Sequence, residues 1–334
     1  MISICDSGQV RRLLENHNNR GDIPEMHLRG LDLNLLVALD VLLKVRNVTR
    51  ASERLHLSQS GMSTALGRLR EYFGDQLLVP IGRKMILTPL AESLAVPVSD
   101  ILIQVQSVID HTPTFNPAES ERCITIMCSD YIASTLLPKL SQRLRTEAPK
   151  ISVDLVSQEA YLDGPLTRGE VDFLILPQQF ASADHPSEPL FSETHVCIAW
   201  DQNDAIGDAL TLEDYMSATH VVARFGENRT ATIDSWVADS FDQKRVVDVS
   251  VMNFLGIPYH VIGTDRLATV HARLAEIYAR ALPIRVLPLP FEVPPIAVAL
   301  QWHKYNDGHP TMIWLRSLIL EIGREFDANP ARCF

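Results

Sequence analysis

VTRASERLHLSQSGMSTALGRLREYF, residues 48–73, sets the reading of everything around it. It reads as two short helices joined by a tight turn. The first is expected from Thr49 to His56, with Thr49 capping the free N–H groups at its start. The turn is His56-Leu57-Ser58, and Ser58 caps a second helix running to about Phe73. In that second helix Met62, Leu66, Leu69 and Phe73 fall at i, i+4, i+7 and i+11, one apolar face that must pack on the helices before it. The opposite face near its start carries Gln59, Ser60, Ser63 and Thr64, and Arg68 and Arg70 follow one turn later. A packed back with a short polar tip suits the major groove, which admits one helix and is read by short polar groups. Thr49 and Ser58 join the tip as candidate DNA contacts. An ordinary surface helix with a serine-rich start has the same pattern, so the stretch alone leaves both readings open.

The next residues favour nucleic acid. Residues 76–89 read QLLVPIGRKMILTP, two short β-prone runs around a Gly82-Arg83-Lys84 tip. This is the pattern of a two-stranded wing, and Arg83 and Lys84 at its tip are candidates for phosphate or minor-groove contact. Charge agrees. The chain of 334 residues carries a net −11. Residues 27–90 hold nine Lys and Arg against five acidic side chains, a surplus of +4, whereas residues 91–334 carry −14. A small basic head on an acidic body confines DNA contact to the head. A weak head gains affinity through a linked second copy, so a homodimer or homotetramer is expected.

Here a resemblance becomes specific. The pieces that carry it are Leu31-Asp32-Leu33-Asn34-Leu35-Leu36, Ala51 to Leu57, Ser58-Gln59, Met62-Ser63, Gly82-Arg83 and Leu87-Thr88-Pro89. Through them residues 31–110 resemble the winged helix-turn-helix and linker helix of the LysR-type transcriptional regulators, and the likeness extends over about residues 27–325. Gly30 to Asp40, Ala65 to Arg70 and Phe115 to Ala118 most resemble the NodD and SyrM branch, regulators of rhizobial nodulation and symbiosis genes. There are departures. Ser60, Gly61 and Thr64 stand where many members have a proline and a basic residue, and Pro80 stands in the wing where arginine is common. These bear on base preference rather than on docking mode.

Domain organisation follows. Residues 1–26 are polar and expected to be a disordered extension, with Met26 as an alternative start. Residues 27–88 form the head. Residues 89–110 read as one long helix in which Leu94, Val98, Ile101, Val105 and Val108 recur at helical spacing, with Pro97 inside it. A partner helix is the natural cover for that stripe, packing within one chain is the alternative, and the resemblance implies dimerisation. Residues 111–120, with two prolines, are the expected hinge. From residue 121 strand and helix patterns alternate, which argues an α/β fold with parallel strands. The fold class is α+β overall, with a two-lobed α/β effector domain over 121–334. Lobe I is expected over about 121–178 and 285–330, and lobe II over about 179–284. The resemblance implies a periplasmic-binding-protein-like arrangement.

In open α/β sheets ligands bind beyond the carboxyl ends of the strands. Strand ends point to Ser129, Asp130, Tyr131, Ser157 and Gln158 on one lobe, and to Arg224, Phe225, Asn228, Asn253 and Phe254 on the other. Arg224 can pair with a carboxylate and the aromatics can stack on a ring, though capping and packing explain the same residues. The resemblance implies a small aromatic, flavonoid-like inducer, no other cofactor, RNA polymerase as a partner, and a promoter with an interrupted inverted repeat. It implies activation, with repression of a neighbouring gene as a second action.

Other functions are poorly supplied. There is no GxSxG, GxGxxG, phosphate loop or paired metal-ligand motif, so no enzyme is expected. No apolar run reaches about 18 residues and the N-terminus lacks an apolar signal core, so a cytoplasmic protein is expected. Cys5, Cys123, Cys128, Cys197 and Cys333 show no CxxC spacing and read as free or structural thiols. The alternatives are a LysR-type regulator of aromatic-compound catabolism and a small-molecule-binding α/β protein without a DNA role.

Overall fold

The computed structural model describes residues 31–82, 84–109, 115–158, 163–224, 232–241 and 245–328. The N-terminal extension, Met26, Arg83, Phe225, Asn228, Asp110 at the end of the expected linker helix and residues 111–114 of the expected hinge lie outside them. The chain divides into two compact units, Met1–Glu92 and Ser93–Phe334.

The first unit is three helices and a two-stranded wing. Helix α1 (Leu33–Val45) starts at Asp32, whose side chain accepts from Leu35 N, and buries Leu35, Leu39, Leu42 and Leu43. Helix α2 spans Val48–Arg54. Its cap is Asn47, not Thr49: Asn47 Oδ1 accepts from Arg50 N at 2.9 Å, and an asparagine one residue before the β-branched Val48 takes the extended cap conformation. Helix α3 (Gln59–Phe73) starts at Ser58 as expected and ends at Gly74, which has φ +60°. Met62, Leu66 and Leu69 are buried along its inner face. Each such side chain contributes about 1.5–3 kcal/mol by leaving water. Strands β1 (Leu78–Ile81) and β2 (Lys84–Leu87) pair antiparallel. Asp75 Oδ1 ties the wing's base by accepting from Leu77 N and Thr88 Oγ1, both at 2.6 Å.

Helix α4 (Pro89–Ile109) is continuous through Pro97. It is followed by two lobes, each with a five-stranded sheet. The first sheet holds β3 (Arg122–Cys128), β4 (Ile151–Ser157), β5 (Phe173–Pro177), β6 (Ser187–Glu193) and β12 (Ile296–Trp302), in the order β4-β3-β5-β12-β6. The second holds β7 (His195–Trp200), β8 (Thr219–Ala223), β9 (Val246–Val251), β10 (Leu267–His271) and β11 (Ile284–Leu287), in the order β11-β7-β10-β8-β9. Both are mixed rather than purely parallel: β3 pairs parallel with β4 and β5, while β12 runs antiparallel to β5 and β6. Central β5, FLILP, is buried on both faces, as its continuous apolar run requires. Edge strand β9 alternates instead.

Helices α5 (Asp130–Thr135), α6 (Leu137–Glu147), α7 (Asp163–Thr167) and α12 (Pro310–Ala328) flank the first sheet; α8 (Leu212–Ser217), α9 (Thr232–Phe241), α10 (Pro258–Val261) and α11 (Ala272–Ala281) belong to the second. Pro138 at the start of α6 removes a donor, and α5 and α6 are separate helices that meet at Leu136. Among the described residues no helix is long and apolar enough to cross a membrane.

The strand pairing moves both lobe borders. β6 lies beyond the expected border at 178 yet joins the first sheet through β12. β11 lies on the expected lobe I side, but Ile284–Leu287 pairs with Trp200–Cys197 of β7 in the second sheet. The crossings are therefore Thr194, between β6 and β7, and residues 288–295, between β11 and β12.

Candidate functional site

The nucleic-acid interface is built on α3. Burial of Met62, Leu66 and Leu69 turns Gln59, Ser60, Ser63 and Thr64 outward, all exposed. These four do not share one state. Ser58 Oγ accepts from Gly61 N at 3.0 Å and lies 3.0 Å from Ser60 Oγ, so Ser58 serves the helix start. Thr64 Oγ1 donates back to Ser60 O at 2.9 Å. Gln59 and Ser63 have no intramolecular side-chain hydrogen bond among the described residues, which leaves their donors and acceptors for base edges.

The basic groups also divide. Arg68 is exposed and pairs loosely with Asp32 at 3.5 Å. Arg70 is turned inward: its Nε donates to Gln76 O at 2.8 Å and its Nη2 to Leu78 O at 2.9 Å, holding the wing against α3. Lys84 is exposed on the wing. Thr49 is exposed, and its carbonyl accepts from Ser52 Oγ at 2.7 Å. Arg83 lies outside the described residues.

The residues expected to bind an effector are distributed differently. Ser129 caps α5, its Oγ accepting from Ile132 N at 3.4 Å. Asp130 Oδ2 accepts from Leu255 N at 2.8 Å, so this carboxylate joins the first lobe to a turn of the second. Tyr131 is buried, its hydroxyl donates to Glu193, and its ring stacks on His271 at 4.1 Å. Phe254 meets Tyr131 edge-on at 6.5 Å and His271 at 4.6 Å. Asn253 Oδ1 accepts from Gly256 N at 2.8 Å, and Gln158 Nε2 donates to Ile175 O at 2.8 Å. The backbone N–H of Arg224 donates to Val251 O at 2.9 Å. Phe225 lies outside the described residues. Asp130, Tyr131 and Phe254 thus come together as a packed contact between the lobes.

An open space lies elsewhere, at the two crossings. A cavity of about 390 Å³ is lined from the first lobe by Pro177, Gln178 and Gln179, which follow β5. From the second lobe come His195, at the start of β7, and Trp236 of α9. The return crossing supplies Val293, Pro294 and Pro295, and the start of β12 supplies Ile296 and Ala297. Among the described residues, none of those expected to bind an effector lines it. The strand-end rule that selected Ser129 and Gln158 also selects Gln178 and Gln179 when applied to the third strand. Trp236 and the proline crossing carried no comparable sign, because a crossing is recognised only once strand partners are known.

The cavity walls are apolar and flat, with two carboxamides and an imidazole. Burial, reinforced by the charge of Arg245, lowers the pKa of His195 to about 4, so the imidazole is neutral. Its Nδ1 is buried and has no hydrogen-bond partner among the described residues. Among the described residues that line it, none is charged at neutral pH. Among the described residues no group of three or more His, Cys, Asp or Glu is placed to hold a metal ion.

Comparison with known proteins gives a consistent picture. Residues 33–92 match the family described as bacterial regulatory helix-turn-helix protein, lysR family, and residues 118–324 match the LysR substrate binding domain. Nodulation protein D 1 of Rhizobium leguminosarum bv. phaseoli is 40% identical over 296 residues, covering 89% of this chain and 94% of that protein. Nodulation protein D 2 of the same organism is 42% identical over 296 residues, covering 89% and 93%. Among solved structures, a probable transcriptional regulator from Pseudomonas aeruginosa is 31% identical with a TM-score of 0.64, covering 87% of this chain and 97% of that one.

Proposed function

Since the chain belongs to the LysR family of helix-turn-helix regulators, a family of DNA-binding transcription regulators rather than enzymes, we propose that it acts on nodulation genes as an activator answering to a small aromatic ligand. The observation that carries this reading is the likeness to Nodulation protein D along both head and body, about nine-tenths of the chain. Nothing in the comparisons favours aromatic-compound catabolism.

The residues give the reading a mechanism. Two heads joined as a homodimer or homotetramer bind the two halves of an interrupted inverted repeat, each with α3 in the major groove. Gln59 and Ser63 read base edges; Lys84 and Arg83 hold phosphates. The interlobe cavity takes an uncharged, planar, hydroxylated ring. Trp236 and the prolines offer flat apolar surface, while Gln178, Gln179 and neutral His195 offer hydrogen bonds to hydroxyl groups. Occupation of the cavity shifts the lobes, and through them the angle between linked heads and the bend of the DNA. RNA polymerase then meets the bent promoter in the cytoplasm.

The test is direct. Purified protein is mixed with sheared DNA of its source genome, with and without plant phenolics, and the retained fragments are sequenced. Enrichment of promoters of nodulation genes bearing an interrupted inverted repeat is the expected result. Retention of no specific fragment under either condition would overturn the proposal.

A further inference from the structure

Helix α4 is docked on the first lobe at two places. Val98 and Ser99 are 3% and 2% exposed, while Ile101 and Val108 of the same apolar stripe are 45% and 75% exposed. The turn after α7 makes the first contact. Ser99 Oγ donates to Arg168 O at 2.6 Å. Gly169, next in the chain, has φ +60°, and a Cβ there would lie 2.7 Å from Ser99 Oγ and 2.8 Å from Ile103 Cδ1. Conformation and close approach both select glycine.

The second contact is Asp100 with His303. Asp100 Oδ1 lies 3.3 Å from His303 Nε2, both atoms are buried, and neither has a fully aligned hydrogen-bond partner among the described residues. Buried polar atoms are rarely left alone, so each is the other's available partner. His303 Nδ1 accepts from Tyr305 N at 3.3 Å, which places the ring proton on Nε2, facing the carboxylate. His185 backs the site. It packs 4.8 Å from His303, its Nε2 lies 3.1 Å from Thr167 Oγ1, and its Nδ1 accepts from Lys304 N at 3.4 Å.

These two contacts share a further relation. His303 directly follows β12, and the Arg168–Gly169 turn shortly precedes β5. β5 and β12 are paired antiparallel neighbours, from Pro177 with Val298 to Phe173 with Trp302. Their other ends are Pro177 and Ile296–Ala297, which line the cavity. One strand pair, roughly 20 Å long at about 3.3 Å per residue, therefore joins the cavity to the seat of α4.

We propose that β5 and β12 act as a paired strut between the interlobe cavity and α4, with Ser99 and Asp100 as the positioning residues that receive its movement. This rests on the reading of that cavity as the effector site. A displacement at Gln178 or Ala297 moves the strut along its length, because hydrogen-bonded neighbours in a packed sheet do not deform separately. It reaches α4 at the Arg168–Gly169 turn and at His303, and so reaches the helix that leads to the DNA-binding head.

The experiment uses the full chain and amide hydrogen exchange over Val98–Ile103. Ala297→Phe, or Gln178→Phe should the first fail to fold, fills the cavity in place of an unidentified ligand. In the wild-type background either substitution is expected to change exchange over Val98–Ile103 about threefold or more, the scale of one net hydrogen bond. With Ser99→Ala and Asp100→Asn together, α4 exchanges faster from the outset and the cavity substitution no longer changes it. A purely structural seat would loosen in the double variant but would not make α4 answer to the cavity in the wild type. Unchanged exchange on filling the cavity, or an equal change with and without Ser99 and Asp100, would overturn the proposal. DNA retention by the wild-type protein is read in parallel; its failure would overturn the regulator reading and leave the exchange result standing.

Discussion

Arg273, the second residue of α11 in the second lobe, places Nη1 3.0 Å from Oε2 of Glu193, the last residue of β6 in the first. The two side chains are 6% and 1% exposed. Arg273 also donates to Ser192 O at 2.8 Å and Phe326 O at 3.3 Å, and its guanidinium lies 4.6 Å from the Phe326 ring centroid. Glu193 in turn accepts from Tyr131 and from Thr194 N. The first crossing between the lobes is thus pinned by a buried ion pair that further hydrogen bonds tie to both lobes. Removing one partner strands a charge. Arg273→Met or Glu193→Gln is expected to cost about 3–5 kcal/mol in urea unfolding, more than replacing both together. A loss below about 1 kcal/mol for either single change would rule out the pinning role.

Acid should weaken the effector domain through its histidines. Burial lowers the pKa of His195 to about 4, aided by Arg245; burial lowers His271 well below its usual value, aided by His195; burial lowers His303, aided by His185. The unfolded chain takes up these protons near pH 6.5, before the folded chain does. The stability linked to them is therefore present above about pH 6.5 and falls as pH drops from there towards 4. For His195 alone the loss is about 3 kcal/mol, at 1.36 kcal/mol per pKa unit. Melting temperatures measured from pH 7.5 to 4.5 should fall steadily below 6.5. A flat or rising profile would contradict the assignment.

Gln59 and Lys84 should fail differently. Gln59→Ala removes a base-reading side chain and is expected to weaken operator binding by ~1–3 kcal/mol while sparing random DNA. Lys84→Ala removes a phosphate contact, weakens all sequences alike, and lowers the salt slope by about 1. Titrations on both DNAs at several salt concentrations separate the two. An unchanged operator preference in the first variant, or an unchanged slope in the second, would reject that contact.

Trp236 should matter for the ligand and not for the head. Trp236→Ala removes the largest flat wall of the cavity and is expected to cost about 3 kcal/mol of phenolic binding, more than a hundredfold in Kd. Calorimetry with the phenolic that alters the wild-type footprint checks this. Retained phenolic affinity would place the ligand elsewhere, and lost affinity for random DNA would point to misfolding.

The head was legible because its information is local. Met62, Leu66 and Leu69 announce one buried face at helical spacing, and Ser58 caps the helix it precedes. Even there the capping role expected of Thr49 passes to Asn47, two residues earlier. The effector site was legible only in part. Asp130, Tyr131 and Phe254 do stand at strand ends between the lobes, where they make contacts that join one lobe to the other.

Local pattern specified the helix-turn-helix, the long helix from Pro89, the individual β3 and β5 strands and the division of charge between head and body, because each depends on residues a few positions apart. Partnership across a hundred residues was settled by packing alone. Glu193 meets Arg273, Trp302 pairs with Phe173 and Ile284 with Trp200 across distances that no periodicity records. Those pairings set the two crossings, and the crossings set where the cavity opens and which strands connect it to α4. A strand's sequence expresses which of its faces is buried; which neighbour it joins depends on the free energy of the whole sheet.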